Sequence, residues 1–208
     1  MGEAEEAGQP AVESDAAAPV AASAEAAFYT RSAAGDRLWQ GEILENLPQV
    51  RLALVSVGGE GDVEIETDPH PLVIVLSQDC DLERDFKEGV GSVLANVLFC
   101  NVFPVDEFRA TVRETENIRS NEWKPLKQNK NERFQFLHQV KPAEDLKGDG
   151  LSELAIDFRQ YFTVRTEEVY RRIGQGTIKR CRLSTPYVEH LADRFSYYLA
   201  RVALPQDH

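Results

Sequence analysis

An α+β domain is what the sequence predicts, and three observations carry that prediction. Short runs of β-branched and apolar residues, punctuated by Gly, Pro and Asp, fill residues 37–103 and return over 133–183. Between and after them lie segments with apolar residues at helical spacing, the clearest over 185–201. The first 27 residues differ from both, with six acidic and no basic side chains set among Ala, Gly, Pro and Ser. A segment with so little to bury does not offset its ordering entropy. Residues 1–27 are therefore expected to be a disordered acidic tail, ahead of a single α+β domain over 28–208.

The elements follow in order. Residues 37–42, 50–57 and 62–66 read as short strands, with Gly58-Gly59-Glu60-Gly61 turning between the last two. Pro71-Leu-Val-Ile-Val-Leu-Ser77 reads as a strand buried on both faces and entered at a proline. Residues 79–91 read as a loop, and 93–103 as a second buried strand. A helix is predicted to start at 104–106, with Phe108 and Val112 on one stripe. The polar stretch 119–132, centred on Trp123, reads as an exposed helix or an ordered loop. Further strands are expected over 133–140 and 155–164. Thr166-Glu167-Glu168 opens a short helix that stops at Gly174. A strand over 178–183 follows, then a final helix capped by Ser184 or Thr185 with Pro186 in its first turn. On that helix Val188, Leu191, Phe195, Tyr198 and Leu199 form the amphipathic stripe.

Composition narrows the setting. No stretch approaches the roughly 18 apolar residues that a membrane helix needs, and the acidic N-terminus is the opposite of a signal or transit peptide. Cys80, Cys100 and Cys181 are odd in number, far apart and without C-x-x-C spacing, so a reducing cytoplasm is expected. Net charge is -12, which argues against a broad nucleic-acid surface. The balance reverses over 158–201, with nine basic and four acidic side chains. Within it Arg171, Arg172, Lys179, Arg180 and Arg182 give five cations in 13 residues with no acid. They are the candidates for contact with a nucleic-acid backbone or a protein partner, the alternative being a solvated face paired to the acidic body.

The segment Ser77-Gln78-Asp79-Cys80-Asp81-Leu82 is the main candidate site, because a buried strand delivers small polar groups at its C-terminal end. Three readings stand side by side. Cys80 is a nucleophile, although flanking Asp79 and Asp81 disfavour a thiolate. Or Asp79 and Asp81, alternating on a strand, converge on a divalent ion with Glu64 or Glu66. Or Cys80 is a small buried hydrophobe and the aspartates satisfy backbone groups in a turn, which is the default and requires no metal. His70, ahead of Pro71, is a candidate acid or base near neutral pH. No fingerprint for a nucleotide, metal or other cofactor is present, so no cofactor is expected.

Gly35-Asp36-Arg-Leu-Trp39, then His70-Pro71-Leu-Val-Ile-Val-Leu-Ser77, then the apolar strand 93–103 together resemble the opening of MazF/PemK-like proteins. The chain is also similar to uncharacterised bacterial proteins with a Ser-Gln-x-Cys-Asp-Leu turn and an ending like Arg194-Phe195…Arg201-Val-Ala-Leu-Pro205. The first resemblance covers about residues 35–105. It implies a small, partly open SH3-like β-barrel, here with a core over about 35–105 and 133–183, added helices and a closing C-terminal helix. The best-known members of that family are dimeric ribonucleases that act without a metal, so a homodimer and an RNA-cleaving hydrolase are both implied. In that hydrolase His70 would be acid or base, with Asp79 or Asp81 as helper. The sequence departs from the family where its chemistry sits: His70 replaces the arginine before the proline, and Cys100-Asn101 the expected Ser or Thr. The leading expectation is thus an accessory or interaction module of a bacterial multi-protein system, of the defence or toxin–antitoxin kind, that contacts a protein partner or nucleic acid.

Overall fold

The computed structural model describes residues 27–54, 63–116 and 123–200. The predicted tail (apart from Ala27), the turn at 58–61, residues 119–122 of the polar stretch and the ending 201–205 lie outside the described residues. The chain is α+β, and its described residues form a seven-stranded antiparallel sheet with five α-helices. The strands are β1 (Tyr29–Arg31), β2 (Glu42–Leu54), β3 (Val63–Val75), β4 (Asn96–Pro104), β5 (Phe134–Leu137), β6 (Leu154–Arg165) and β7 (Ile178–Leu183), in the order β1-β7-β2-β3-β4-β6-β5. The helices are α1 (Asp79–Glu88), α2 (Val105–Glu116), α3 (Trp123–Lys127), α4 (Thr166–Ile173) and α5 (Tyr187–Leu199). No helix among the described residues is long and apolar enough to cross a membrane.

The sheet curls around one of its faces. Residues from both edge strands, Tyr29 of β1 and Leu137 of β5, share one buried cluster with Ile43, Ile74, Ile156, Phe158 and Cys181, and α5 covers it with Leu191 and Phe195. The Tyr29 hydroxyl donates to the His138 carbonyl at 2.7 Å, a side-chain bridge between the two edges. Among the described residues β1 and β5 do not pair strand to strand, so the sheet is open. The opposite face is covered by the 32–41 loop, α1 and α4, through Leu38, Leu82 and Val169 packed on Leu44, Val73, Val97 and Phe99. A third cluster, under α2 and α3, holds Phe108, Val112, Leu126, Phe134 and Phe136. Each of these branched or aromatic side chains contributes about 1.5–3 kcal/mol on full burial.

Several sequence expectations need correcting. Residues 63–66 and 71–75 of the two predicted strands belong to one strand, β3, because long pairing with β2 carries the chain through Pro69 and Pro71. Residues 37–41 form a loop rather than a strand; Gly41 takes a positive φ of 73°, and its N–H donates to the Val75 carbonyl at 2.9 Å. A Cβ there would stand 3.1 Å from Val188 Cγ2 and 3.2 Å from Leu183 Cβ, so only glycine lets this loop approach α5. The predicted 79–91 loop begins with α1, whose first turn carries Asp79 and Asp81 at the positive end of the helix dipole. α5 receives no side-chain cap from Ser184 or Thr185; the Ser184 carbonyl accepts from Tyr187 and Val188, and the Thr185 hydroxyl donates to Glu189 at 3.0 Å. Thr166 is likewise inside α4, and its hydroxyl donates to the Leu94 carbonyl.

Candidate functional site

The Ser77–Leu82 segment leaves β3 and enters α1 beside the 37–41 loop. Ser77 is spent on structure, its hydroxyl oxygen accepting from Leu98 N–H at 2.8 Å. Asp79 is held by a bidentate ion pair, with Arg37 Nη1 donating to Oδ1 at 3.0 Å and Nη2 to Oδ2 at 2.7 Å. Burial opposes the Arg37 charge, but the Asp79 hydrogen bonds outweigh it and raise the guanidinium pKa. Cys80 is exposed, which overturns the inward-facing, buried thiol expected from the sequence. Its Sγ lies 3.7 Å from Gln78 Oε1 and 3.9 Å from Asp81 Oδ1. Cys100 and Cys181 are buried, and burial pushes both thiols up. Asp79 and Asp81 sit on a helix rather than alternating on a strand, so they do not converge as a metal pair would. Among the described residues no three His, Cys, Asp or Glu side chains are placed to hold a metal ion.

The loop that delivers Arg37 is anchored from below. Lys179, only 2% exposed, donates to the carbonyls of Ala33, Asp36 and Arg37 at 3.2, 3.1 and 2.8 Å. It also pairs with Glu42 at 3.2 Å. Burial pushes the Glu42 carboxyl above its usual range, against the pull of Lys179 and the Ser32 hydroxyl. On this anchored loop Trp39 lies between two guanidinium groups, Arg37 at 3.5 Å and Arg182 at 3.9 Å from the ring centroid. Its indole N–H donates to Asp36 at 3.0 Å. Stacking a cation on each ring face is worth about 0.5–1 kcal/mol at an exposed site and holds the ring in one orientation.

Two clefts open along α5 and meet at Gln40. One, of about 410 Å³, lies between Trp39, Arg182 and Asp79 on one side and Thr185, Val188 and Glu189 on the other. The second, of about 250 Å³, has Leu76, Leu94, Leu98 and Phe195 as its apolar floor, with Gln78, Asp81 and Ser196 at its rim. Gln40 lines both, and its side-chain amide donates to the Leu76 carbonyl at 3.2 Å. The Gln78–Asp81 turn and α5 are therefore the two walls of one interrupted groove.

The other predicted residues lie elsewhere. His70 is far down β3 from the turn, roughly 15 Å at about 3.3 Å per residue, so the structure does not bring it to Asp79 or Asp81. Its ring stacks on Phe162 at 3.8 Å, its Nδ1 is 2.7 Å from Asn101 Oδ1, and its buried Nε2 has no hydrogen-bond partner. Arg171 and Arg172 are both bound to Glu168, at 2.5 and 2.6 Å. Arg180, 3% exposed, grips Asp145 through two hydrogen bonds of 2.7 Å and also binds Glu45. Lys179 and Arg180 thus hold interior carboxylates, and of the five cations Arg182 alone lines the groove. Sequence reasoning missed Arg37, Trp39 and Gln40. The signal was present in the run Gly35–Trp39, but it reads as the start of a strand until Gly41 is seen to break it.

Comparison with known proteins returns no matching family model and no matching curated protein.

Proposed function

We propose that this chain is a non-catalytic interaction module that grips an extended segment of a partner protein in the groove between α5 and the Gln78–Asp81 turn. The observation that carries this reading is the groove itself: two clefts joined at Gln40, an apolar floor, and a braced tryptophan at one end. Trp and Arg are residue types that dominate binding energy at protein interfaces once a partner covers them. Asp79 is paired with Arg37, which leaves Asp81 and Glu189 beside Arg182 as the charges of the rim, so an apolar segment with a flanking basic residue fits it better than a phosphate backbone does. The net charge of -12 favours the same class of partner. In this reading the curled sheet is an SH3-like barrel left open between β1 and β5, with Tyr29 and α5 spanning the gap, and the protein serves a bacterial multi-protein system. A hydrolase built on His70 has less support, since its proposed helpers stand at the other end of β3.

A displayed library of linear peptides, panned against the full chain, tests the reading. Enrichment of apolar peptides with a basic flank is expected, and their binding should fall at least tenfold in Ser196→Arg, which fills the groove from the exposed side of α5. Tyr197→Arg, on a neighbouring exposed position of the same helix, should leave binding intact. Failure to enrich any peptide, or equal binding by Ser196→Arg, would overturn it. Labelled single-stranded RNA incubated with the protein should remain uncut, with and without EDTA; cleavage would restore the hydrolase.

A further inference from the structure

The groove between α5 and the Gln78–Asp81 turn carries its charges unevenly. Arg37 and Asp79 cancel each other, since both Nη atoms of the guanidinium donate to the one carboxylate. What remains differs between the two clefts. The larger has Arg182 on its Trp39 wall and Glu189 on its α5 wall. Among the described residues that line the smaller, Asp81 is the one charged side chain, set beside Leu76, Leu94, Leu98 and Phe195.

Arg182 has donors to give. Its neighbours on β7, Lys179 and Arg180, are each held by an interior carboxylate. The half-buried Arg182 guanidinium instead lies over Trp39, 3.9 Å from the ring centroid, and makes no hydrogen bond or ion pair among the described residues. A planar fork with free N–H groups grips a carboxylate through two parallel hydrogen bonds. Trp39 already fixes the plane of this fork, so little ordering remains to be done on binding. Glu189 does not occupy it, because its Oε1 accepts from the Thr185 hydroxyl at 3.0 Å and forms no ion pair with Arg182. Asp81 stands in the converse position. The Cys80 thiol approaches one of its oxygens at 3.9 Å, and Arg84, whose charge Asp81 also favours, is paired with Glu88 at 2.8 Å.

We infer that the groove selects its partner by the order of its charges: the bound segment carries an acidic side chain at the Arg182 end of its apolar run and a basic side chain at the Asp81 end. This rests on the groove being a peptide-binding site, and adds the sign expected at each end. Repulsion opposes the reverse order. An acid at the far end meets Asp81 with no cation in that cleft to offset it. A base at the Trp39 end gains from Glu189 but loses to Arg182, a near balance. A segment basic at both ends therefore has one favourable end, whereas the mixed segment has two.

Fluorescence anisotropy on the full chain, at about 20 mM salt so that charges are little screened, compares two synthetic peptides. Both keep the apolar run of a peptide selected by panning and are acetylated and amidated, with Asp at one flank and Lys at the other in opposite orders. The parent protein should prefer one order by at least about tenfold, and should bind a version with Lys at both flanks less tightly than that order. Asp81→Lys, at an exposed position of α1, should abolish the preference, and adding Arg182→Glu should reverse it. If the double variant loses native circular dichroism, Asp81→Lys alone decides. Equal binding of the two orders by the parent, or a preference that Asp81→Lys leaves intact, would overturn the inference while leaving the groove as a binding site. A parent protein that binds no peptide would overturn the groove itself, and this inference with it.

Discussion

Two pairs of cations, drawn from neighbouring stretches of the fold, do opposite jobs. Lys179 and Arg180 are adjacent on β7, so they leave the strand on opposite sides, and each pins a different loop: Lys179 the 33–37 segment, Arg180 the 145–150 segment. Both are buried among carboxylates and carbonyls that accept their hydrogen bonds. Arg37 and Arg182 instead clasp Trp39 at the groove, where one side of the arrangement meets solvent. The inner pair has no freedom to meet a ligand. The outer pair presents an aromatic ring on the loop that Lys179 anchors. A basic run in a sequence thus separates into scaffold and surface only when the acids that receive it are located.

The sharpest break in this comparison is Lys179→Met. It strands Glu42 without its counter-charge, and should cost about 3–5 kcal/mol in urea unfolding. Adding Glu42→Leu should recover much of that loss, because the buried charge goes with its partner. If the single variant costs less than about 1 kcal/mol, the loop is held by something else.

Acid titration separates the two interior anchors. Burial alone would raise Asp145, but its hydrogen bonds from Arg180, Gly150 and Lys147 outweigh it and hold the carboxyl below the usual range. A carboxylate depressed on folding lends stability above its unfolded pKa of about 4 and loses it as pH falls further, through the folded value. Glu42 is shifted the other way, so its folded form takes up a proton first, and its contribution declines as pH rises from its unfolded to its folded pKa. Carbon-13 shifts of the two side-chain carboxyls should therefore show Glu42 titrating above, and Asp145 below, the ordinary carboxylate range.

Smaller effects belong to the groove. Gly41→Ala forces a Cβ against Val188 and Leu183 at a positive φ, and should cost about 1–3 kcal/mol while displacing α5 from the loop. Arg182→Ala removes one face of the Trp39 clasp and should cost at most about 1 kcal/mol of stability, yet weaken any peptide that the groove selects. A large stability loss from Arg182→Ala would place it with the inner pair instead.

Much of the fold was legible because periodicity reports burial. The 178–183 strand stands where it was expected, α5 (Tyr187–Leu199) lies within the predicted 185–201 helix, and the apolar runs at 71–77 and 93–103 supply the end of β3 and most of β4. The membership of α5's stripe is also largely right, with Leu191 and Phe195 buried and Leu199 at the groove. Asp79–Glu88 was misread because Asp-Cys-Asp is turn chemistry in isolation and helix-start chemistry when a dipole follows it. Of the site, the Gln78–Asp81 turn was legible as a place. Its role was not, since Arg37 reaches Asp79 from 42 residues away and no local pattern encodes that pairing. Lys179 and Arg180 misled for the same reason: their acids, Glu42 and Asp145, lie 137 and 35 residues distant.

Cys80 offers the most direct test of the groove as a binding site, being the one exposed thiol beside two buried ones and flanked by the rim residues Gln78 and Asp81. Its rate of reaction with a thiol reagent should fall at least tenfold when a selected peptide saturates the parent protein, and should stay at the free rate in Ser196→Arg at the same peptide concentration. A bound peptide that leaves the Cys80 rate unchanged would contradict the account.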